Sequence, residues 1–324
     1  HPPGDPPPPA SRCCLIGSHL ADRFVAAGDR VIVVDNFSTG RRSNLTGLAG
    51  HPAVRVVEHD ITTPLPAEVL DQHYDTVLDF ASPASPDDFK RIPLEILAVG
   101  STGTRNLLDL AHRQGARFML ASTSEVYGDP LVHPQPEDYW GNVSSIGPRS
   151  CYDEAKRFSE ALTMAYHRTL GVDVRIARIF NTYGERMAPR DGRVVNTFVV
   201  QALRGEPLTL HGDGEQTRSF CHVADEVVGL AAVLDGPDFL GPVNVGNPGE
   251  FTVRELAETV LELTGAPGPI VTIPLPGERE GDPARRCPDI SLARTRLGWE
   301  PVIPLREGLA RMIAWFRDHE DVTR

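Results

Sequence analysis

The residues best suited to chemistry stand four positions apart in the stretch YDEAK, where Tyr152 is followed by Lys156. If this stretch is helical, the two side chains lie one turn apart on the same face. A lysine ammonium beside a phenol stabilises the phenolate and lowers the pKa of the tyrosine. Such a phenolate could take the proton of a hydroxyl group while a hydride leaves the same carbon. The spacing also recurs in many helices, so a tyrosine and a lysine on a solvated face is the alternative.

A second polar set lies in STSEVYG (122–128), directly after the apolar run ARFMLAST (116–123). There Thr123 and Glu125 would stand at the carboxyl end of a parallel strand, which is where open α/β sheets bind their ligands. This position adds weight to Tyr152 and Lys156, because all four side chains can then face one cleft.

A third signal concerns a dinucleotide. Asp35 ends the short β-branched run RVIVVD, where a carboxylate can accept both hydroxyls of an adenosine ribose and repel a 2′-phosphate. NAD is therefore favoured over NADP, and Asp35 precedes and blocks the 2′-phosphate site that Arg41 and Arg42 could suggest. Asp60, at the end of the next strand, could bond the adenine edge. For both aspartates a simple turn-capping role is about equally consistent with the sequence.

The phosphate-binding turn is the weak point of this interpretation. IGSHL resembles the opening of a dinucleotide-binding helix, and Gly17 suits the glycine that packs helix against strand. Counting back by threes, Cys14 and Ser11 occupy the other two glycine positions, and the preceding HPPGDPPPPA cannot supply a central strand. We therefore expect a shifted or degenerate N-terminus, and weak or absent NAD retention by the chain as written.

These residues need a scaffold of alternating strands and helices. Buried strands are predicted at RVIVVD (30–35), AVRVVEHD (53–60), DTVLDFAS (75–82), ARFMLAST (116–123) and VDVRIARIF (172–180), and helices at about 17–27, 94–115 and 150–171. This alternation predicts an α/β, Rossmann-like, doubly wound parallel sheet whose first strand and glycine-rich turn are missing.

The predicted organisation has three parts. Residues 1–14 would form a proline-rich disordered tail, residues 15–180 an NAD-binding domain, and residues 181–324 a smaller substrate-binding lobe interleaved with the first. The short pieces PLTLHG and PVNVGNP are expected in that lobe, packed over the carboxyl edge of the sheet.

Composition argues against nucleic-acid-binding, membrane and metal-binding proteins. The 324 residues carry a formal net charge of −12, which argues against nucleic-acid binding. No run of about 18 apolar residues and no basic-then-apolar leader is present, so we expect no membrane association. The five cysteines show no metal-type pairing, which predicts no metal site and a reducing, cytoplasmic location.

Several long motifs resemble the extended short-chain dehydrogenase/reductases that act on nucleotide sugars, the NAD-dependent epimerase/dehydratase family, and within it the UDP-glucuronate decarboxylases. The resemblance covers about residues 16–318, and it is carried by FASPASP, LASTSEVYGDPLVHPQPEDYWGNVSSIGPRSCYDEAKR, RIFNTYGERM, DGRVVNTF, QALRGEPLTLHGDGEQTRSF, PVNVGNP and LGWEPVIPLREGL. Glu185 departs from it, because the family usually has proline there.

The resemblance implies roles for individual residues. Tyr152 would be the base at the sugar C4 hydroxyl with Lys156 as its partner, Thr123 would bond the same oxygen, and Glu125 would order water or assist protonation at C5. Contacts to NAD would come from Asp35, Asn36, Phe37, Thr39, Gly40, Asp60, Ile61, Phe80, Ser82 and Thr182. The UDP-sugar substrate would be held by Asn181, Arg193, Arg218 and Arg286, with Arg285 as the alternative to the last.

The implied reaction oxidises C4, loses carbon dioxide from the resulting β-keto acid, and returns the hydride, giving UDP-xylose with NAD recycled. Ser124 favours this over 4,6-dehydration, because related dehydratases carry an acidic aspartate at this position. A 4,6-dehydratase, a 4-epimerase and a degenerate, non-catalytic nucleotide-sugar-binding protein remain alternatives. The resemblance also implies a homodimer built on the helices at 94–114 and 150–170, although their apolar spacing equally fits a monomer core.

Overall fold

The computed structural model describes residues 15–189, 191–274 and 285–319. The predicted tail and the glycine positions at 11 and 14 lie outside these residues. Ten α-helices are found in this part of the chain: α1 (Leu15–Ala26), α2 (Ala67–Leu70), α3 (Pro86–Arg91), α4 (Pro93–Ala98), α5 (Thr104–Gln114), α6 (Ser150–Leu170), α7 (Val194–Leu203), α8 (Val223–Asp235), α9 (Val253–Thr264) and α10 (Leu305–Asp318).

The strands of the described residues fall into a larger parallel set and several short pairs. In chain order they are β1 (Val31–Asp35), β2 (Val54–Glu58), β3 (Thr76–Asp79), β4 (Arg117–Thr123), β5 (Val174–Ile179), β6 (Thr182–Tyr183), β7 (Leu208–His211), β8 (Thr217–Ser219), β9 (Cys221–His222), β10 (Pro242–Val245), β11 (Glu250–Thr252), β12 (Ile270–Ile273) and β13 (Arg285–Arg286).

A parallel sheet in the order β10-β5-β4-β3 forms the centre of the fold, and β1 pairs in parallel with β2 as a separate two-stranded sheet. The five strands predicted from sequence are confirmed, with shorter ends. In the part of the chain that the structure describes, no strand pairs with both β1 and β3. The sequence analysis expected the first strand of the sheet to be missing, and the N-terminal residues that would contain it lie outside the described part.

Side chains of the central strands alternate between two hydrophobic clusters. Phe118 and Leu120 of β4 pack with residues of α5, whereas Met119, between them, packs with residues of α8. Because successive residues of a strand point to opposite faces, this alternation covers both faces of the sheet with helices. The predicted doubly wound architecture is therefore confirmed.

The segment predicted as one helix at 94–115 is divided. Its middle turn, Val99–Gly103, is π-helical and lies between α4 and α5. A Cβ added at Gly100 would lie 2.8 Å from the Cβ of Ala155 on α6, and one at Gly103 would lie 2.8 Å from Ile61 Cδ1. The two glycines thus let this turn approach α6 and the β2–α2 connection closely.

The smaller lobe contains the short sheets β7–β12 and β11-β8-β13 together with α7, α9 and α10. The prediction that PVNVGNP belongs to it is wrong. Its strand, β10, pairs with β5 in the central sheet after the crossover helix α8. A parallel neighbour can be reached only through such a crossover, so residues after 180 return to the large sheet. Within the described ranges no helix has both the length and the apolar character needed to cross a bilayer.

Candidate active site

Strand β4 delivers the first polar group of the cleft at its carboxyl end. Thr123 is buried and begins the 3-10 turn Ser124–Tyr127, where its Oγ1 accepts a hydrogen bond from the backbone N–H of Glu125 at 3.2 Å. The same hydroxyl is hydrogen-bonded to the phenol of Tyr152 from helix α6. The structure therefore brings together the strand end and the helix, as the sequence predicted.

Tyr152 lies in an environment that opposes its ionisation. Burial raises the pKa of Tyr152, the hydrogen bond with Thr123 opposes that rise, and the negative charges of Glu125 and Asp153 add to it. The expectation that Lys156 lowers the pKa of Tyr152 is therefore wrong for this structure, because desolvation of the phenol outweighs every favourable contact. Because the hydrogen bond with Thr123 lowers the pKa of Tyr152, the Thr123 hydroxyl is the donor and the phenol oxygen is the acceptor.

Lys156 is buried and has other partners. Its Nζ donates a hydrogen bond to the backbone oxygen of Ala121 at 2.8 Å, and its charge acts on Asp79 at the end of β3. Burial raises the pKa of Asp79, whereas Lys156 and a 2.8 Å hydrogen bond from the Thr104 hydroxyl oppose that rise. Asp79 was not identified from sequence, where the predicted strand continued to residue 82, although it ends the observed β3 as Asp35 ends β1.

Glu125 is held between two arginines. Arg286 forms a two-pronged contact with it, at 2.5 Å (Nη1–Oε1) and 2.8 Å (Nη2–Oε2), and Arg149 Nη2 lies 2.8 Å from Oε2. Burial alone would raise the pKa of Glu125, but the two guanidinium groups lower it to about 2. Glu125 is thus ionised at neutral pH, which favours an anchoring role over proton donation.

The choice left open between Arg285 and Arg286 is decided by burial. The side chain of Arg286 is 6% exposed and lines the cleft, whereas that of Arg285 is 58% exposed and lies 3.5 Å from Glu250. Both stand on β13, where neighbouring residues point to opposite faces. The smaller lobe therefore contributes one guanidinium group to the site.

Arg149 and Phe89 are functional candidates that sequence reasoning missed. The guanidinium of Arg149 lies over the ring of Phe89 at 5.5 Å, and that ring stacks on Tyr152 with centroids 5.0 Å apart and an interplanar angle of 19°. Arg149 lies one helical turn before Tyr152, which is a signal that the sequence did contain. Phe89 comes from α3, and nothing in its spacing pointed to the site.

Asp153, directly after Tyr152, was also missed. Its side chain is 6% exposed, and its Oδ1 makes no hydrogen bond. Burial and the negative charge of Glu125 raise the pKa of Asp153 to about 7, and Arg149 and Arg286 limit that rise. A buried carboxyl that changes charge near neutral pH therefore adjoins the base.

The predicted cofactor residues divide into two groups. Thr39, Phe80, Ser82 and Thr182 line the same cleft as Tyr152. Four others, Asp35, Asn36, Phe37 and Asp60, lie outside that lining. Asp35 Oδ1 accepts a hydrogen bond from the backbone N–H of Phe37 at 2.7 Å, and Asn36 Nδ2 donates one to Asp60 at 3.1 Å. Also outside the cleft lining are Gly17 in α1, Gly40 after β1, and Ile61 after β2.

These residues fit an extended dinucleotide. The cleft begins at Leu15 and Ile16, the first residues of α1, and continues past Phe80 to Tyr152. A helix N-terminus suits a pyrophosphate, and the carboxylate of Asp35 suits a ribose without a 2′-phosphate. Burial would raise the pKa of Asp60, but hydrogen bonds from the backbone N–H and hydroxyl of Thr62 lower it, so an acceptor is kept at the end of β2.

Three predicted substrate residues line the cleft beyond Tyr152. Asn181 donates to Ser219 O at 3.4 Å, Arg193 contacts Asp191 (Nη2–Oδ2 2.9 Å), and Arg218 donates to Thr217 O at 2.8 Å. With Arg149 and Arg286 they give the cleft several cationic groups despite the acidic chain. The arrangement can accept a phosphorylated, acidic small molecule.

Two other features bear on the predictions. Glu185, the departure noted above, lies 3.3 Å from His222 (Oε2–Nε2), and its backbone oxygen lies 3.2 Å from His19 Nε2.

Elsewhere the ligand atoms of His133, Glu250 and Cys287 lie within 4.8 Å of one another. His133 Nε2 lies 2.8 Å from the carboxylate of Glu250, and the Cys287 thiol donates to Pro248 O at 3.3 Å, so protein groups already satisfy this cluster.

Comparisons with known proteins agree with this geometry. A family model described as the NAD dependent epimerase/dehydratase family matches residues 14–246. The chain is 54% identical over 304 residues to UDP-glucuronic acid decarboxylase 1 of Arabidopsis thaliana, covering 94% of this chain and 68% of that protein.

Solved structures show the same fold. UDP-glucose 4-epimerase of Thermotoga maritima, solved with UDP-glucose, aligns with a TM-score of 0.85 at 30% identity over 94% of this chain and 96% of that one. A double mutant of dTDP-glucose 4,6-dehydratase from Streptomyces venezuelae, solved with NAD bound, aligns with a TM-score of 0.85 at 30% identity over 95% and 96%.

Proposed function

The chain belongs to the NAD dependent epimerase/dehydratase family, and from that membership and its site we propose that it is a UDP-glucuronate decarboxylase that forms UDP-xylose and carbon dioxide. The observation that carries the choice within the family is that Arg286 and Arg149 line the same cleft as Tyr152 and Thr123. A sugar whose C6 is a carboxylate needs a guanidinium near the C4 base, whereas a hydroxymethyl group does not.

The reaction follows from ordinary carbonyl chemistry. When bound, NAD would supply a hydride acceptor at C4 that is regenerated rather than consumed. Tyr152 would take the proton of the C4 hydroxyl as its phenolate, a form that burial opposes and the hydrogen bond from Thr123 favours. Thr123 would also keep a hydrogen bond to the C4 oxygen. The ketone at C4 is β to the C6 carboxylate, so loss of carbon dioxide leaves an enolate whose charge develops on O4. The same two side chains stabilise that charge until C5 gains a proton, which restores the ketone that the returning hydride reduces.

Further residue roles support the proposal. Asp35, Asn36 and Asp60 would hold the adenosine half of NAD, and Phe80, Ser82 and Thr182 the part nearer the chemistry. Asn181, Arg193 and Arg218 would hold the UDP group. Ser124 also lines the cleft, and a serine hydroxyl is too weak an acid to protonate a leaving C6 hydroxyl, which disfavours 4,6-dehydration.

One incubation tests the proposal. The protein is given NAD and UDP-glucuronate labelled at C6, and the released gas and the nucleotide sugars are measured. We expect labelled carbon dioxide and UDP-xylose in equal amounts, abolished by Tyr152→Phe. UDP-galacturonate without gas release would identify a 4-epimerase instead. Conversion of a supplied dTDP- or UDP-glucose to its 4-keto-6-deoxy sugar would identify a dehydratase.

We also propose that the protein is a homodimer. Leu94 and Leu97 of α4 and Phe158 of α6 are 75%, 40% and 51% exposed, although the two helices pack against each other. Adjacent exposed apolar residues of this size are typical of an interface. Light scattering should give twice the monomer mass for wild type and for the control Val302→Glu, whose residue is 77% exposed elsewhere, and one monomer mass for Phe158→Glu. A dimeric Phe158→Glu would contradict this interface.

A cytoplasmic location stays a prediction. The cysteines at 151, 221 and 287 are free and buried, as suits a reducing compartment. Fractionation of cells that express the tagged chain is the direct measurement.

A further inference from the structure

Four charged groups form a buried cluster beside the proposed base. Arg149 and Arg286 supply two positive charges, and Glu125 and Asp153 supply two carboxyl groups. Glu125 is fixed by three contacts of 2.5–2.8 Å with the two arginines. Asp153 is only 6% exposed, yet one of its carboxyl oxygens makes no hydrogen bond. The two acids are therefore not equivalent.

The groups that act on Asp153 come from three elements. Glu125 belongs to the turn after β4, Arg286 belongs to β13, and Arg149, Tyr152 and Glu154 belong to the start of α6. Among them Glu125 stays ionised, because the two arginines lower its pKa to about 2. Asp153 is thus the member of the cluster whose charge can change near neutral pH.

The charge of Asp153 decides whether the cluster can accept another anion. With Asp153 protonated, two arginines face one carboxylate, and the cluster carries one uncompensated positive charge. With Asp153 ionised, the cluster is neutral, and a further carboxylate would enter a site where every positive charge is already matched. In a buried site of low effective dielectric this difference is large compared with the same difference in water.

We propose that Asp153 sets the affinity of the cleft for the sugar carboxylate, by taking up one proton when that carboxylate binds beside Arg149 and Arg286. The inference rests on the proposed decarboxylase function for the identity of the ligand, a nucleotide sugar with an anionic C6. Asp153 does not line the cleft, so it acts through the arginines and is a positioning residue rather than a catalytic one. The uptake is reversible, because the carboxylate leaves as neutral carbon dioxide.

The raised pKa of Asp153 and its cause agree with this assignment. The pKa is raised to about 7 by burial and by Glu125, so a second carboxylate nearby raises it further by the same mechanism. Linkage then requires that binding of the anionic sugar be tighter at low pH than at high pH.

Calorimetric titration of two nucleotides tests the inference. UDP-glucuronate is compared with UDP-xylose, which carries the same diphosphate but has no carboxylate, on the full chain with NAD present. Tyr152→Phe is used as the background so that the ligand is not consumed. Each titration is repeated in buffers with different ionisation enthalpies, which reports the number of protons taken up. This readout is independent of turnover.

We expect UDP-glucuronate to bind with uptake of close to one proton near pH 8, and about 50-fold more weakly at about pH 9 than at about pH 6. UDP-xylose should show neither effect. Adding Asp153→Asn should remove the proton uptake and the pH dependence of UDP-glucuronate binding, whereas the matched control Glu154→Gln, one residue away and 37% exposed, should keep both.

Equal pH dependence for the two nucleotides, or proton uptake that survives in Asp153→Asn, would overturn the inference. The two-ligand comparison does not need a substitution at Asp153, so it decides the question even if that variant fails to fold. Failure of the inference about Asp153 can also be distinguished from failure of the proposed function. Wild type that releases carbon dioxide from UDP-glucuronate without proton-linked binding would keep the function and remove this role for Asp153.

Discussion

Arg286 and Glu125 stand 161 residues apart in the chain and form a two-pronged ion pair, with contacts of 2.5 and 2.8 Å. The pair lines the same cleft as Tyr152, the proposed base. The pair joins the smaller lobe to the carboxyl end of β4. It fixes the position of a guanidinium near Tyr152 and Thr123, which is why the site is incomplete until both parts of the chain have folded.

Replacing Arg286 by methionine should damage both stability and activity. The change leaves Glu125 buried with one arginine instead of two, which should cost about 3 kcal/mol in the free energy of unfolding. Loss of the guanidinium should lower kcat/KM for UDP-glucuronate by about 100-fold. Urea denaturation and steady-state kinetics are the measurements. Arg285→Met, at the exposed neighbour, is the control and should change both quantities little, and an equal loss in the two variants would refute the assignment to Arg286.

Replacing Tyr152 by phenylalanine should remove the chemistry and keep the fold. The ring would still stack on Phe89, because the stacking uses no hydroxyl. We expect turnover to fall by about 1,000-fold, as befits loss of a positioned acid–base group. Tyr166→Phe serves as the control on the same helix, since its hydroxyl donates to Asp109 near the surface. Undiminished gas release by Tyr152→Phe would show that another group is the base.

Glu226 of α8 should make the protein less stable as the pH rises. It is fully buried, and its neighbours Cys221 and Thr182 offset only part of the cost of removing its carboxyl group from water. Burial raises its pKa from 4.5 to about 8. The folded protein therefore keeps a proton that the unfolded chain releases above pH 4.5, so unfolding is increasingly favoured between these two values.

Glu226→Leu should remove this dependence and raise the free energy of unfolding at about pH 8 by about 3 kcal/mol. Thermal unfolding followed across that pH range is the measurement. The exposed carboxylate of Glu258 provides the comparison, since Glu258→Gln should leave the wild-type pH profile in place. A profile unchanged by Glu226→Leu would mean that other groups cause the pH dependence.

Gly100 should tolerate no side chain. A Cβ there would lie 2.8 Å from the Cβ of Ala155 and 3.0 Å from its backbone oxygen, one residue before Lys156. Gly100→Ala should therefore lower the free energy of unfolding by about 2 kcal/mol and shift α6 enough to reduce turnover. Gly47→Ala adds its methyl group in open space and should be neutral. If the two variants unfold at the same urea concentration, the close approach of the π-helical turn to α6 is not a constraint.

The local elements were predictable because their signals are local. Apolar spacing placed α6 within one residue of its observed ends, and Gly171, with φ +70°, closes the helix. The β-branched runs located β1 to β5, since strands buried on both faces read as continuous apolar segments. The same reasoning assigned PVNVGNP to the wrong lobe, because a strand of four residues carries no information about its partner.

The sequence by itself placed Tyr152 and Lys156 one turn apart on a helix, Thr123 at the end of a strand and an acidic residue at 35, since each position depends on a pattern within one element. Only the tertiary structure decided that Lys156 faces Asp79 and Ala121, that Phe89 stacks on Tyr152, and that Glu125 is shared by Arg149 and Arg286. These contacts join segments far apart in the chain, and burial within them sets the charge of each group. Desolvation depends on the whole packed surroundings, which no local pattern of residues encodes.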